Sequence, residues 1–174
     1  MAKPLKQVKK LQLPLAESAP ADLAVGDMIE ISGRILTGRD AVLPQLVKLA
    51  EDGRLAEFGI DLRGAVIFHT AVSPAGVGPT SSNKREIEGA IPALSKAGVK
   101  LHLGKGRLSP ETIAALAKYN SIYAVVPPVT ALLESKIVSR RVVAFPEQGM
   151  EALHELEVKD FPCIVAAAHG KCIY

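Results

Sequence analysis

Ten residues, Val77-Gly78-Pro79-Thr80-Ser81-Ser82-Asn83-Lys84-Arg85-Glu86, set three hydroxyls and two cations directly after an apolar run. Gly78 and Pro79 predict an irregular turn. Asn83 and Glu86 have the N-x-x-E spacing of a capping box, which predicts a helix start. There, unpaired backbone N–H groups and the positive end of the helix dipole would face whatever lies above the preceding strand, a setting suited to a carboxylate or phosphate. The same residues also fit a plain capped turn with a solvated Lys84-Arg85-Glu86 face. Gly104-Lys105-Gly106 lacks the G-x-x-x-x-G-K-[ST] spacing of a P-loop. Gly76-Val77-Gly78 runs straight into Pro79 and lacks the third glycine of a dinucleotide fingerprint. His69 ends the apolar run Gly64–His69 and fits either a proton shuttle near neutral pH or a satisfied core histidine. His102, His154 and His169 show no metal-ligand spacing. The chain has two cysteines, Cys163 and Cys172. An iron–sulfur cluster needs three or four thiolates, and structural zinc favours closer pairs.

The elements that must position these groups alternate between strand and helix. Asp27–Leu36 alternates as a strand and Ala41–Ala50 has helical spacing. Gly64–His69 reads as a buried strand. A helix over Asn83–Ala97 follows, kinked or split by Pro92. Val99–Leu103 is a short strand. Ser109-Pro110-Glu111 opens a helix with an N-cap, a proline at its first position and an acid in its first turn. Ser121–Val126 is a strand, Leu132-Leu133 lies in a short helix, and Val138–Phe145 is a strand. Met150–Leu156 reads as helical and Cys163–Ala168 as the last apolar strand. The order predicts α/β layering with much of the sheet parallel.

Composition sets the outer bounds. At 174 residues, 48% hydrophobic and 22% charged, the chain should form one domain that buries about 70% of its unfolded surface. Net charge is +3, and Lys3, Lys6, Lys9 and Lys10 make the one dense basic run. Few aromatics accompany it for base stacking, so nucleic acid is not an expected partner. The start has no continuous apolar h-region and the chain no apolar run of about 18 residues, so a secretory signal and a membrane span are not expected. The expected location is cytoplasmic.

Taken in order, Ser32-Gly33-Arg34-Ile35-Leu36-Thr37-Gly38-Arg39-Asp40, then Gly78-Pro79-Thr80, then Gly104-Lys105-Gly106 form a set. Pro146-Glu147-Gln148-Gly149-Met150-Glu151-Ala152 and Glu157-Val158-Lys159-Asp160-Phe161-Pro162 complete it. The set resembles the beta subunit, or C-terminal domain, of the iron–sulfur hydro-lyases, the family of class I fumarase and L-tartrate dehydratase. The resemblance implies a swivelling β/β/α-type single domain, a mixed sheet with flanking helices, over 11–174 behind a basic leader at 1–10. It implies water addition or removal on a small dicarboxylate, with a [4Fe-4S] cluster held by a separate alpha subunit. A hetero-oligomer is expected with that subunit, or a homodimer when the chain is isolated. Thr80 matches the family's proton-transfer threonine, which needs a charged neighbour or a helix start to ionise. Arg39 matches an arginine that grips a carboxylate with its planar fork, and Lys105 matches a lysine in a Lys-Gly turn. Arg39 beside Asp40 also fits a local ion pair, and Lys105 a plain turn lysine.

The departures from the family pattern cluster around the same positions. After the threonine the family has a second threonine, two small residues and Arg-Met-Asp. Here Ser81 takes the second threonine's place and Lys84 the arginine's, with Arg85 beside it as a substitute. Lysine keeps the charge but loses the bidentate fork. Leu43 stands where a histidine is usual, Thr70-Ala71-Val72 where Gly-Pro follows the strand histidine, and Pro127-Pro128 near a Gly-Gly. These changes imply a divergent branch, with another substrate or reduced activity. The alternative is a noncatalytic member that binds a partner or a small anion.

Overall fold

A computed structural model describes residue 4, residues 6–78 and residues 84–174, with the backbone alone at 84–87. Eight strands form one mixed sheet: β1 (Lys9–Gln12), β2 (Met28–Gly38), β3 (Val66–His69), β4 (Leu101–Gly104), β5 (Ile122–Val125), β6 (Ile137–Ala144), β7 (Leu153–Ala168) and β8 (Lys171–Cys172). Among the described residues four α-helices accompany them: α1 (Leu43–Glu51), α2 (Lys84–Lys96), α3 (Pro110–Lys118) and α4 (Thr130–Ser135). The expected mixed α/β domain with flanking helices is what the chain adopts.

Neighbours β1 to β5 run parallel, and β7 runs antiparallel to β2, β5, β6 and β8. Ile164 of β7 is in register with both Met28 of β2 and Val125 of β5. The strands β2-β3-β4-β5-β7 therefore close on themselves, and closure removes the edges that an open sheet would expose. The inside of this partial barrel is packed with apolar side chains that include Ile31, Ile35, Phe68, Leu103 and Phe161. Phe68 and Phe161 meet edge to face at 5.7 Å. The side chains that alternate outward lie under helices. Leu36 and Ile67 pack with Leu43 and Leu46 of α1 and Leu94 of α2. Tyr123 and Ala166 pack with Ile91 of α2 and Leu116 of α3.

Sequence patterning located most of these elements. The capping motif at Ser109 is present: its hydroxyl accepts a hydrogen bond from the Thr112 amide, and α3 starts at Pro110. Helix α2 begins at Lys84, the residue after Asn83. The proposed capping pair, Asn83 and the Glu86 side chain, falls outside the described residues. One reading is narrowed and two are corrected. Pro92 does not split α2, which runs as one helix through it. Its flanking residues Ala90, Ile91 and Leu94 are buried, and that packing outweighs a local cost of about 3 kcal/mol. The stretch Met150–Leu156 is not a helix: a 3-10 segment (Pro146–Glu151) ends there and Leu153–Leu156 opens β7. Buried Leu156 and Val158 alternating with more exposed Glu155 and Glu157 is a strand pattern, overshadowed in sequence by the three-residue spacing of Met150, Leu153 and Leu156. The last long strand starts ten residues before Cys163, because Pro162 does not end it. Pro162 sits on a stretch of β7 between its pairings with β6 and β5, where a missing N–H is tolerated.

The basic run at the start is partly ordered by charge. Lys9 and Lys10 lie in β1, opposite Ile29 and Glu30. Lys9 and Lys6 pair with Asp27 at 2.8 and 3.6 Å, and Lys10 with Asp160 at 3.8 Å. No helix among the described residues is long and apolar enough to cross a membrane.

Candidate functional site

Because β2, β3, β4 and β5 are parallel neighbours, their carboxyl ends open on one rim of the barrel. Loops beyond the carboxyl ends of parallel strands are where α/β folds place ligands. Arg39 follows β2 directly, residues 70–83 follow β3, Lys105 follows β4 and Pro127-Pro128 follow β5. The topology thus brings to one rim the residues that directly follow β2 and β4, Arg39 and Lys105, and the start of the loop after β3.

The Arg39 turn is tight for a steric reason. A Cβ on Gly38 would lie 2.8 Å from Val42 Cγ2 and 3.0 Å from Leu43 Cδ2, so only glycine lets α1 fold back this closely. Arg39 donates from Nε and from Nη2 to Glu151 Oε1, at 3.0 and 2.7 Å. The pair is four-fifths and two-thirds buried at its side chains. Such a charge-assisted fork is stronger than an exposed ion pair. Glu151 ends the 3-10 segment, and one residue earlier the Met150 carbonyl accepts from the Val72 amide at 2.9 Å. One short segment therefore holds both the Arg39 turn and the loop after β3.

That loop is fixed along its described length. Thr70 Oγ1 donates to the Gly78 carbonyl at 2.5 Å and closes it, while Val77 is fully buried in the barrel core. Gly76, at φ 120, touches α4: a Cβ there would collide with Thr130 Cγ2. Thr80 and Ser81 lie outside the described residues, as do the side chains of Lys84 and Arg85; the backbone of the last two forms the first turn of α2. Thr70 of the departure Thr70-Ala71-Val72 is the residue that closes the loop.

Lys105 is exposed at the tip of its turn. Tyr123 braces that turn, donating from its hydroxyl to the Gly106 carbonyl at 3.2 Å, and burial pushes the Tyr123 phenol well above its ordinary range. Lys105 borders an apolar cavity of about 490 Å³ lined by Met28, Val125, Pro127, Pro128 and Ile164. A cavity of about 510 Å³, with Arg34, Asp61, Arg63, Glu155 and Glu157 in its wall, includes neither Arg39, His69 nor Lys105. Its charges largely pair among themselves, Arg63 with Asp61 at 2.9 Å and Arg34 with Glu155 at 3.8 Å.

His69 is not on the rim surface. It is buried, and burial lowers its pKa to about 4, so it stays neutral at pH 7 and does not titrate near neutrality. Its Nε2 lies 3.2 Å from His102 Nδ1. Of the two sequence readings this fits the core histidine, although Nδ1 has no hydrogen-bond partner among the described residues. Glu151 and Tyr123 carried no functional expectation. Glu151 lies within the Pro146–Ala152 stretch whose resemblance was noted, and nothing in its spacing links it to Arg39, 112 residues away.

The donor set does not suit a resident iron–sulfur cluster. Cys163 is buried with its thiol pushed up by burial, and no group of three or more His, Cys, Asp or Glu among the described residues is placed to hold a metal. Two thiols in all, one of them kept protonated, are too few.

Comparison with known proteins gives a consistent result. The family model for the fumarase C-terminus matches residues 2–174. The L(+)-tartrate dehydratase beta subunit of Escherichia coli K12 is 31% identical over 176 residues, covering 93% of this chain and 84% of that one. A Geobacillus stearothermophilus protein provisionally named as a class I fumarate hydratase is 29% identical over 183 residues, 97% of this chain but 34% of that one. The anaerobic class I fumarate hydratase of E. coli K12 is 29% identical over 151 residues, 81% of this chain and 27% of that one. The chain therefore spans about a third or less of these fumarate hydratases and most of the tartrate dehydratase beta subunit.

Proposed function

Since this chain belongs to the fumarase C-terminus family, we propose that it is the beta component of a hydro-lyase acting on a small dicarboxylate of the fumarate/malate or tartrate type. The name of the tartrate dehydratase relative, a beta subunit, supports a component that works with an alpha subunit. The iron–sulfur cluster of such an enzyme belongs to that alpha subunit, because two cysteines do not make a site here. The observation that carries the reading is the Arg39–Glu151 fork on the rim where the strand ends meet. An oriented guanidinium there receives one substrate carboxylate. Lys84, with Arg85 beside it, and Lys105 supply charge for the other carboxylate. Ser81 contributes a hydroxyl to the substrate, and Thr80 is the proton-transfer group, ionised with help from the α2 N-terminus.

Two features favour the second reading, a noncatalytic anion- or partner-binding module: Lys84 replaces an arginine, and part of the Arg39 fork is already held by Glu151. Anaerobic co-purification with a cluster-bearing alpha subunit, then hydration assays on fumarate, mesaconate and tartrate, separates the two. Turnover that needs both chains and is lost in Thr80→Ala supports the hydro-lyase. A stable complex whose behaviour Thr80→Ala leaves unchanged supports the module.

A further inference from the structure

Behind the rim lies a buried polar string that the proposed chemistry does not use. His69 ends β3, His102 is in β4 and Ser95 is in the last turns of α2; all three are at most 2% exposed. His69 Nε2 is 3.2 Å from His102 Nδ1, and His102 Nε2 is 2.9 Å from Ser95 Oγ. The two rings are tilted 31° apart with centroids at 5.4 Å. His69 Nδ1 is buried and has no hydrogen-bond partner among the described residues.

Each neutral imidazole carries a single N–H, so the two contacts fix each other's direction. If Ser95 donated to His102, then His102 would donate to His69, and the His69 proton would sit on Nδ1, an N–H orphaned in the core. Orphaned buried N–H groups are the rarer defect. In the opposite sense His69 Nε2–H donates to His102 Nδ1 and His102 Nε2–H donates to Ser95 Oγ, leaving only a lone pair at Nδ1. Both rings stay neutral near pH 7, since burial lowers both pKa values.

We propose that His69, His102 and Ser95 are positioning residues, a proton-ordered string running from β3 through β4 to α2 that sets where α2 begins. Besides one polar contact, Glu88 Oε1 accepting from the Ser109 amide at 2.8 Å, the described contacts of α2 are apolar, through Ala90, Ile91 and Leu94, and apolar contact is non-directional. The His102–Ser95 bond, its direction set by the His69–His102 contact, adds a directional restraint between the sheet and α2. The helix they hold starts at Lys84, so its consequence for substrate rests on the hydro-lyase reading above.

Long-range proton–nitrogen spectra of the labelled chain read the tautomers directly. Both rings are expected as Nε2–H and unchanged from about pH 5.5 to about 8; an Nδ1–H form of either ring, or titration in that window, overturns the string. Amide exchange of residues 88–91, whose helical acceptors are the carbonyls of 84–87, is expected to quicken roughly tenfold in Ser95→Ala with α3 unchanged, and to recover in Ser95→Thr. No change at 88–91, or an equal change in every helix, overturns the positioning role. In the two-chain enzyme Ser95→Ala should lower kcat/KM about tenfold with partner binding retained, and an unchanged kcat/KM overturns the link to the site. A parent complex without turnover counts against the hydro-lyase reading, and the spectra and exchange then decide the string alone.

Discussion

Arg39 serves a carboxylate substrate only if its fork is presented in one orientation, and Glu151 provides that orientation from one side. Glu151, accepting from Nε and Nη2 through one carboxylate oxygen, fixes the plane of this partly buried guanidinium. Removing the carboxylate in Glu151→Ala takes away the Nε/Nη2 fork that orients Arg39. In the two-chain enzyme this should raise KM roughly three- to tenfold with a smaller change in kcat, as expected for lost preorganisation. Arg39→Lys keeps the charge and loses the fork, and should cut kcat/KM by about 10- to 100-fold. Steady-state kinetics on the best of the three trial substrates would check both. Equal values for Arg39→Lys and the parent would remove Arg39 from the site.

The elements owe their placement to close approaches that single residues permit. Gly38→Ala would force a Cβ against Val42 and Leu43, costing about 1–3 kcal/mol by overpacking and tilting the Arg39 turn. Ser109→Ala removes the cap of α3 and should cost about 1 kcal/mol, without effect on the rim. Urea denaturation midpoints would check both, and turnover should separate them, because only the glycine adjoins the site. The long strands β2 and β7 bend together at one bulge, where the pairing shifts between Ile31 and Gly33. Gly33 takes φ 130 there, and Asp160, on the facing strand, donates its amide to Ser32 Oγ at 2.9 Å. A glycine inside a strand is a bulge signal that sequence alone offers.

For the molecule as a whole, the buried histidines and the surface carboxylates set separate pH windows. His69 has its pKa lowered from 6.5 to about 4 by burial, and that of His102 is lowered too. As pH falls from about 6.5 toward about 4, the unfolded chain takes up protons that the folded one refuses. Stability is therefore full above the unfolded value and lost through this range, by up to about 1.4 kcal/mol per pH unit for His69. Asp61, lowered from 3.8 to about 2 by its Arg63 partner, keeps its contribution until pH falls below about 4. Urea midpoints should accordingly drop between about pH 7 and about pH 5. A flat profile there would show that the histidines are not sealed in the core. Phe161→Ala, inside the closed barrel, should cost about 3–5 kcal/mol by the same assay.

Short-range physics was legible in the chain. The Ser109-Pro110-Glu111 helix start and the buried strand ending at His69 are dictated within a few residues, by capping and by a short apolar run. The ordered set of Arg39, Gly78-Pro79-Thr80 and Lys105 pointed to one family through its resemblance to that family's motifs. Tertiary structure alone decided what depends on distant partners. Ile164 closes the barrel by meeting β2 and β5 at once, and Pro92 stays helical because its neighbours are buried. Glu151 reaches Arg39 across 112 residues, and His69 becomes a neutral core group because β4 and α2 seal it. No local spacing encodes these, since each is set by which surfaces pack together once the sheet has closed.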